Sequence, residues 1–129
     1  MLRKVICLVA LGLAVLVGGC SSSDSVPNVA GTWKMVANVL FQFDMILAQN
    51  GGTITGSMIR TNGVEDVDTV AGTVESDGAI NFTRTRAGVG GWTQIYTGAV
   101  TTSGGVSVMN GTFRLSTSST SVPWQATKL

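Results

Sequence analysis

The sequence contains no histidine, and its two cysteines, Cys7 and Cys20, both lie near the N-terminus. Without histidine there is no Ser-His-Asp or Cys-His catalytic centre, and transition-metal sites lose their commonest ligand. Charged residues make up only 12% of the 129 residues, and the acidic ones form no spaced pair suited to cleaving a glycosidic bond. We therefore predict that the protein is not an enzyme and carries no metal or other cofactor.

Basic residues are few and dispersed. The chain has eight lysines and arginines against seven acidic residues, a formal net charge of +1, and no basic run. This balance excludes nucleic acid as an expected partner. The acidic run Glu65-Asp66-Val67-Asp68 lacks the ligand spacing of a calcium-binding EF-hand.

The N-terminal segment has the pattern of a targeting signal. Arg3 and Lys4 precede an apolar run from Val5 to Val17, which is too short to span a bilayer. The run ends at Val17-Gly18-Gly19-Cys20, which resembles the lipobox of bacterial lipoproteins. The resemblance implies that Cys20 is lipidated and becomes the new N-terminus, and Ser21 after it is similar to the outer-membrane class. The alternative is an ordinary secretory signal in which the cysteine is incidental.

Three segments follow from this interpretation. Residues 1–19 form the predicted signal peptide. Residues 20–29 comprise the lipidated Cys20 and a polar, flexible tether, and residues 30–129 form the folded domain.

A short pattern recurs along the folded domain: an apolar residue, any residue, glycine, a small residue, and a second apolar residue. On a strand the outer residues and the glycine point to the same face. Inward glycines let strands bend and leave room for bulky neighbours, as barrel closure requires. The five copies are Val29–Trp33, Ile54–Met58, Val70–Val74, Tyr96–Val100 and Met109–Phe113.

No stretch shows a sustained helical period, and Thr, Val and Gly dominate the chain after residue 30. We predict an all-β, eight-stranded antiparallel up-and-down barrel, with a two-sheet sandwich as the alternative. The predicted strands are 31–37, 41–49, 52–60, 67–75, 79–86, 92–101, 105–115 and 122–129.

Turn positions set the predicted register between strands. We place turns at Asn50-Gly51, around Asp77, over 87–91, and at Ser103-Gly104. The cross-strand pairs that follow include Leu47 with Ile54, Gly72 with Phe82, Phe82 with Tyr96, and Tyr96 with Gly111. In each hairpin the apolar faces agree, and each repeat glycine after the first faces a large side chain.

Gly31-Thr32-Trp33 on the first predicted strand, followed by an eight-strand meander, resembles the calycin superfamily of lipocalins and avidins. The resemblance implies that a basic residue from near the end of the barrel, Lys128 or Arg114, packs over Trp33. The Thr-Asp-Tyr motif of lipocalins is absent, and no set of biotin-contacting residues is present. The resemblance therefore implies an architecture and no particular ligand.

One end of the predicted barrel carries short turns, and the other carries the loops 38–40, 61–66, 87–91 and 116–121. Function tends to lie on longer loops. At that end the inward positions combine three guanidinium groups with aromatic and amide side chains, which suits an acidic head group whose tail enters the barrel. Since Asp68 falls opposite Arg86, simple charge pairing at the rim is the alternative. The candidate ligand-binding residues are Arg60, Arg84, Arg86, Trp92, Gln94 and Tyr96.

Two functions remain open from the sequence. The first is an envelope lipoprotein, held in the bacterial outer membrane by Cys20, whose barrel binds a small apolar or acidic amphiphilic ligand. The second is a structural or interaction lipoprotein whose barrel is filled by its own side chains and binds no small molecule.

Overall fold

Eight antiparallel strands form the folded part of the chain. A computed structural model describes residues 25–63 and 66–129. The strands are β1 (Gly31–Ala37), β2 (Phe41–Asn50), β3 (Thr53–Arg60), β4 (Val67–Val74), β5 (Ala79–Arg86), β6 (Trp92–Ser103), β7 (Val106–Leu115) and β8 (Val122–Lys128). Each strand pairs with the next, and β8 pairs with β1, so the sheet closes. The predicted up-and-down barrel is confirmed, whereas the predicted signal segment and Cys20 lie outside the described residues.

Alternation along the strands separates the core from the surface. On β1, for example, Trp33, Met35 and Ala37 are buried, while Lys34 between them is exposed. Side chains of the same phase from every strand meet inside the barrel, and most of them are large and apolar. These buried side chains form one apolar core cluster inside the barrel.

Register is as predicted in two of the four hairpins with predicted turns and shifted in the other two. The pairs Gly72 with Phe82 and Phe82 with Tyr96 are confirmed. The turns between β2 and β3 and between β6 and β7 each lie one residue later than predicted. The observed pairs there are Leu47 with Gly56 in place of Ile54, and Tyr96 with Phe113 in place of Gly111.

Both shifted turns use a Gly-Gly pair, Gly51-Gly52 and Gly104-Gly105. Gly104 and Gly105 have φ angles of 60° and 84°, the two positive values that a tight type I′ hairpin turn requires. Glycine adopts them without steric cost. Because each shift amounts to two residues across the pair, every side chain keeps its predicted face although its partner changes.

Two repeat glycines pair with each other across β6 and β7 and make room for a tryptophan. Gly98 lies opposite Gly111, and Gly111 also lies opposite Trp124 of β8. A Cβ on Gly98 would come within 3.0 Å of the Trp124 ring. The Trp124 Nε1 donates to the carbonyl oxygens of Thr112 (3.1 Å) and Thr97 (3.3 Å). The packing of small against large residues is confirmed, with Trp124 rather than Tyr96 beside Gly111.

The segment before β1 closes the end of the barrel that carries the short turns. We predicted a tether through residue 29, but Val29 is fully buried and Val26 packs against the core. Gln49 fastens this segment: its Oε1 accepts from the Val29 N–H (2.7 Å), and its Nε2 donates to the Pro27 carbonyl (2.9 Å). The ordered unit therefore begins several residues before β1.

Trp33 near this closed end has the neighbour that the calycin resemblance implies. Lys128 lies directly opposite Trp33 across β1 and β8, and its Nζ is 6.0 Å from the centre of the indole ring. Arg114, the other candidate, instead donates to the carbonyl oxygens of Leu115 and Ser118. The Trp33 Nε1 donates to the Val29 carbonyl (2.9 Å), which satisfies its only polar atom inside the core.

Candidate ligand-binding site

A cavity of about 250 Å³ lies at the end of the barrel that carries the longer loops. It is bounded by the ends of β1, β3 and β5 and the starts of β2 and β6. Five of the six predicted site residues line it, namely Arg60, Arg84, Arg86, Trp92 and Gln94. The remaining lining residues are Ala37, Asn38, Phe41, Phe43, Asp66 and Phe113.

Tyr96, the sixth predicted residue, lies beneath the cavity and not in its wall. Its ring is fully buried in a stack, 4.7 Å from the centre of Phe82 and 4.8 Å from that of Phe113. Trp124 meets the rings of Phe82 and Tyr96 edge-on. These four aromatic side chains close the barrel below the cavity, so the predicted entry of a ligand tail into the interior is not supported.

Asp68 forms the centre of an ion-pair network under the arginines. Its side chain is fully buried, and Arg84 beside it is only 6% exposed. Arg84 reaches Asp68 Oδ2 through Nη2 (2.6 Å) and Nε (2.8 Å). Arg86 binds both carboxylate oxygens, through Nε at 2.7 Å and Nη2 at 2.9 Å, and its Nη1 lies 3.3 Å from Asp66. Charge pairing, the alternative drawn from the sequence, accounts for these two arginines.

The ion pairs lower the pKa of Asp68 and raise the pKa of Arg86, and both shifts favour the charged forms. Burial disfavours the charged form of Asp68, but hydrogen bonds from Arg86 and Arg84 outweigh it and hold the pKa of Asp68 below its ordinary value. The hydrogen bond to Asp68 likewise raises the pKa of Arg86. The carboxylate of Asp68 and the guanidinium group of Arg86 are therefore charged at neutral pH.

Aromatic faces surround the same guanidinium groups. Arg84 Cζ lies 4.3 Å from the centre of the Phe43 ring and 5.0 Å from that of Trp92, and Arg86 Cζ lies 4.8 Å from Trp92. These distances are within the range of cation–π attraction. Trp92 therefore lies against both arginines at the cavity wall.

A polar chain links the network to the core. The Tyr96 hydroxyl donates to Gln94 Oε1 (2.9 Å), and Arg84 Nη1 approaches both of these oxygens, at 3.5 Å and 3.3 Å. Burial raises the pKa of Tyr96, and the nearby positive charge of Arg84 opposes this only in part. Tyr96 is thus a neutral donor that holds Gln94 at the cavity floor.

Arg60 has a different environment from the other two arginines. Its Cζ lies 4.8 Å above the ring of Phe41. Gly63 also packs close to the guanidinium group, since a Cβ added at Gly63 would lie 2.9 Å from Arg60 Cζ. Its Nε is buried and has no hydrogen-bond partner among the residues that the structure describes. Across residues 25–63 and 66–129, no carboxylate lies within ion-pair distance of Arg60.

Sequence reasoning assigned the cavity's apolar walls to the core. Phe41, Phe43 and Phe113 have the inward phase that we predicted, but they lie at the loop-bearing end, where the core stops and the cavity begins. Their position next to the loops was the signal available. Asp66, which belongs to the loop 61–66 expected near the arginines, lies at the cavity wall and pairs with Arg86.

Comparison with protein-family models, curated proteins and solved structures finds no match to this chain. In the part of the chain that the structure describes, no helix is long and apolar enough to cross a membrane.

Proposed function

We propose that this protein is a lipid-anchored envelope protein whose barrel binds a compact acidic or amphiphilic ligand in the rim cavity. The observation that carries the proposal is the composition of that cavity, in which guanidinium groups and aromatic rings line one concave surface. Ligand sites typically combine apolar walls with a few oriented polar groups. The proposal is for binding and not for catalysis.

The cavity restricts the size of the ligand. Its volume of about 250 Å³ lies just below the roughly 300–1,000 Å³ usual for small-molecule sites. The aromatic stack of Phe82, Tyr96 and Phe113 blocks the barrel underneath. A long acyl chain therefore has no room, whereas a single aromatic ring or a short chain bearing one acidic group fits.

The proposed anchor would attach to the end of the barrel opposite the cavity. Five peptide links between Cys20 and Ser25 span at most about 18 Å. The chain enters the barrel at the closed end, beside Gln49 and Gly51. Strands of 7 to 12 residues, tilted as in small barrels, make the barrel roughly 20–30 Å tall. The cavity would accordingly face molecules outside the anchoring lipid surface.

The test of the binding proposal is a titration of the full chain, in a nonionic detergent, with short-chain and monocyclic aromatic carboxylates. Trp33 and Trp124 are buried, whereas Trp92 lines the cavity, so we expect saturable quenching of tryptophan fluorescence that disappears in Trp92→Phe. Calorimetry of Trp92→Phe then shows whether the variant has lost ligand binding or only the fluorescent reporter. No saturable binding by either method up to millimolar ligand would contradict the proposal.

The test of the anchor is Cys20→Ser. We expect the variant to leave the membrane fraction or to remain unprocessed, because acyl chains supply most of the affinity, about 0.8 kcal/mol for each buried CH₂. Normal processing with unchanged membrane fractionation would refute lipidation at Cys20.

A second candidate function is docking of a protein partner on the loop-bearing end. Exposed apolar side chains lie there on all four loops or on the strand ends next to them. Soluble proteins rarely expose large clusters of apolar side chains, and such clusters often mark interaction sites. Val39 is 82% exposed at a φ of 51°, a strained conformation for a β-branched residue. The exposed set is Val39, Leu40, Val67, Val89 and Leu115. Because the chain enters the barrel at the opposite end, a protein partner is favoured over the anchoring lipid surface.

Photo-crosslinking in cells distinguishes this candidate. A photoreactive residue at Leu40 should yield one discrete protein adduct, whereas the same residue at Ile46, which is exposed on the barrel wall, should yield none. Adducts with lipid, or equal labelling from both positions, would contradict a protein partner at the loops.

A further inference from the structure

We infer that Arg60, and not Arg84 or Arg86, binds the acidic group of the ligand, and that the ligand is a monocarboxylate. The inference rests on the proposed function and assigns its specificity. It narrows the expectation from the sequence, in which all three arginines are candidates for this role.

Arg84 and Arg86 are already committed to a carboxylate. Asp68 receives four short contacts from them, between 2.6 and 2.9 Å, and has no exposed surface. A ligand carboxylate that displaced Asp68 would leave a buried anion without its partners, which is strongly unfavourable. These two groups therefore shape the cavity wall and leave little charge for a ligand.

Among residues 25–63 and 66–129, no carboxylate pairs with Arg60 at the cavity. The ring of Phe41 and the backbone of Gly63 flank its guanidinium group, which limits the rotation of the side chain. Its buried Nε–H lacks an acceptor, and an unmade hydrogen bond of this kind is unfavourable. A planar guanidinium held in this way matches the two oxygens of a carboxylate. Binding would satisfy donors that the described part of the protein leaves unused.

The charge balance gives the valence of the ligand. Among the described residues, the site contains three guanidinium groups, from Arg60, Arg84 and Arg86, against the carboxylates of Asp66 and Asp68. One positive charge remains, and a single carboxylate neutralises it. A second anionic group would meet Asp66 at the wall. The ring of Phe41 beside Arg60 favours an apolar body on the acid.

The experiment is calorimetric titration of the full chain in nonionic detergent with benzoate, its neutral analogue benzamide, and the dianion terephthalate. Arg60→Gln should weaken benzoate at least tenfold and change benzamide less than threefold. Arg60→Lys, which keeps the charge but loses the planar donor pair, should fall between. Terephthalate should bind wild type no more tightly than benzoate does.

The matched control is Arg114→Gln. Arg114 lies near the same end of the barrel but outside the cavity wall, so this variant removes one positive charge without touching the site. Benzoate affinity should stay within twofold. If Arg60→Gln and Arg114→Gln lowered benzoate affinity equally, the effect would come from the overall charge of the protein, and the inference would be overturned.

A further variant tests Glu65, which belongs to the loop that follows Arg60 in the sequence. Glu65→Gln should leave benzoate affinity within threefold. A tenfold gain would show that Glu65 already occupies Arg60 and would overturn the inference. If benzoate binds wild type and Arg60→Gln equally, the inference fails while the proposed function stands. If neither benzoate nor benzamide binds wild type, both fail.

Discussion

Asp68→Asn should be among the most destabilising single substitutions outside the apolar core. The change keeps the side-chain shape but removes the negative charge between Arg84 and Arg86. Arg86 keeps Asp66 as a partner, whereas Arg84, with 6% of its side chain exposed, is left as an uncompensated buried cation. Breaking a buried pair in this way typically costs about 3–5 kcal/mol, and we expect a loss of that order in the free energy of unfolding.

The control is Asp44→Asn. Asp44 pairs with Lys34 at 2.8 Å, a distance like those at Asp68, but the two side chains are 35% and 54% exposed. Exposed pairs contribute about 0–1 kcal/mol because water screens them. Urea unfolding of the full chain in nonionic detergent at pH 7 measures both variants. A difference of less than about 1 kcal/mol between them would refute the reasoning from burial.

A double variant separates the value of the ion pair from the cost of stranding one member. Asp68→Asn combined with Arg84→Met removes the stranded cation and replaces it with an apolar side chain of similar length. Buried pairs exchanged for apolar groups are often close to neutral. We therefore expect the double variant to be more stable than the sum of the single losses predicts, by about 2 kcal/mol. Strict additivity would contradict this.

The pH dependence of unfolding, compared between wild type and Asp68→Asn, tests the pKa of Asp68. Its native pKa lies below the unfolded value of about 3.9. The charged carboxylate therefore contributes its full stability above about pH 4, and this contribution is lost as the pH falls through the native pKa. The gap between wild type and Asp68→Asn should narrow below pH 4. A gap that stays constant down to pH 2 would contradict the lowered pKa.

Two further predictions concern the core. Gly72→Ala should lower the free energy of unfolding by about 1–3 kcal/mol, because its Cβ would lie 2.5 Å from the Phe82 Cα. The control Gly104→Asn lies in an open turn at a φ of 60° that asparagine tolerates, and should change this free energy by less than about 1 kcal/mol. Equal losses for the two variants in urea unfolding would contradict the argument. Burial raises the pKa of Tyr96, so its contribution is full below the unfolded pKa of about 10 and is lost as the pH rises above it. Tyr96→Phe should remove this alkaline loss, which unfolding between pH 8 and 11 measures.

The repeated glycine pattern and the alternation of apolar residues determined the barrel, because a period of two assigns each side chain to a face whatever its partner is. This is why the core residues were predicted correctly even where Leu47 and Tyr96 face partners other than those expected. Turn residues fixed register only where one placement was available. Adjacent Asn50, Gly51 and Gly52 allowed two placements, and the pairing of Asn50 with Thr53 shows that Gly51-Gly52 forms the turn.

The loop-bearing end was also predictable as the place where arginines and aromatic residues gather, since strand parity and loop length locate it. The pairing of Arg86 with Asp68 followed from the predicted register. The roles of Arg84 and Arg60 did not, because they depend on which further guanidinium group reaches Asp68 around the closed sheet. Arg84 and Arg86, on β5, bind Asp68 on the neighbouring strand β4. Arg60, on the other neighbouring strand, packs on Phe41 instead.

Depth inside the barrel was likewise a tertiary outcome. Sequence parity makes Tyr96, Phe113 and Trp124 inward, but only the paired glycines 98 and 111 on adjacent strands let the Trp124 indole lie across the interior and join the stack that ends the cavity. Val29 is buried for a similar reason, since Gln49 from another strand satisfies its backbone N–H. Alternation along a strand is local and readable from sequence, whereas such contacts join residues on different strands and exist only once the barrel has closed.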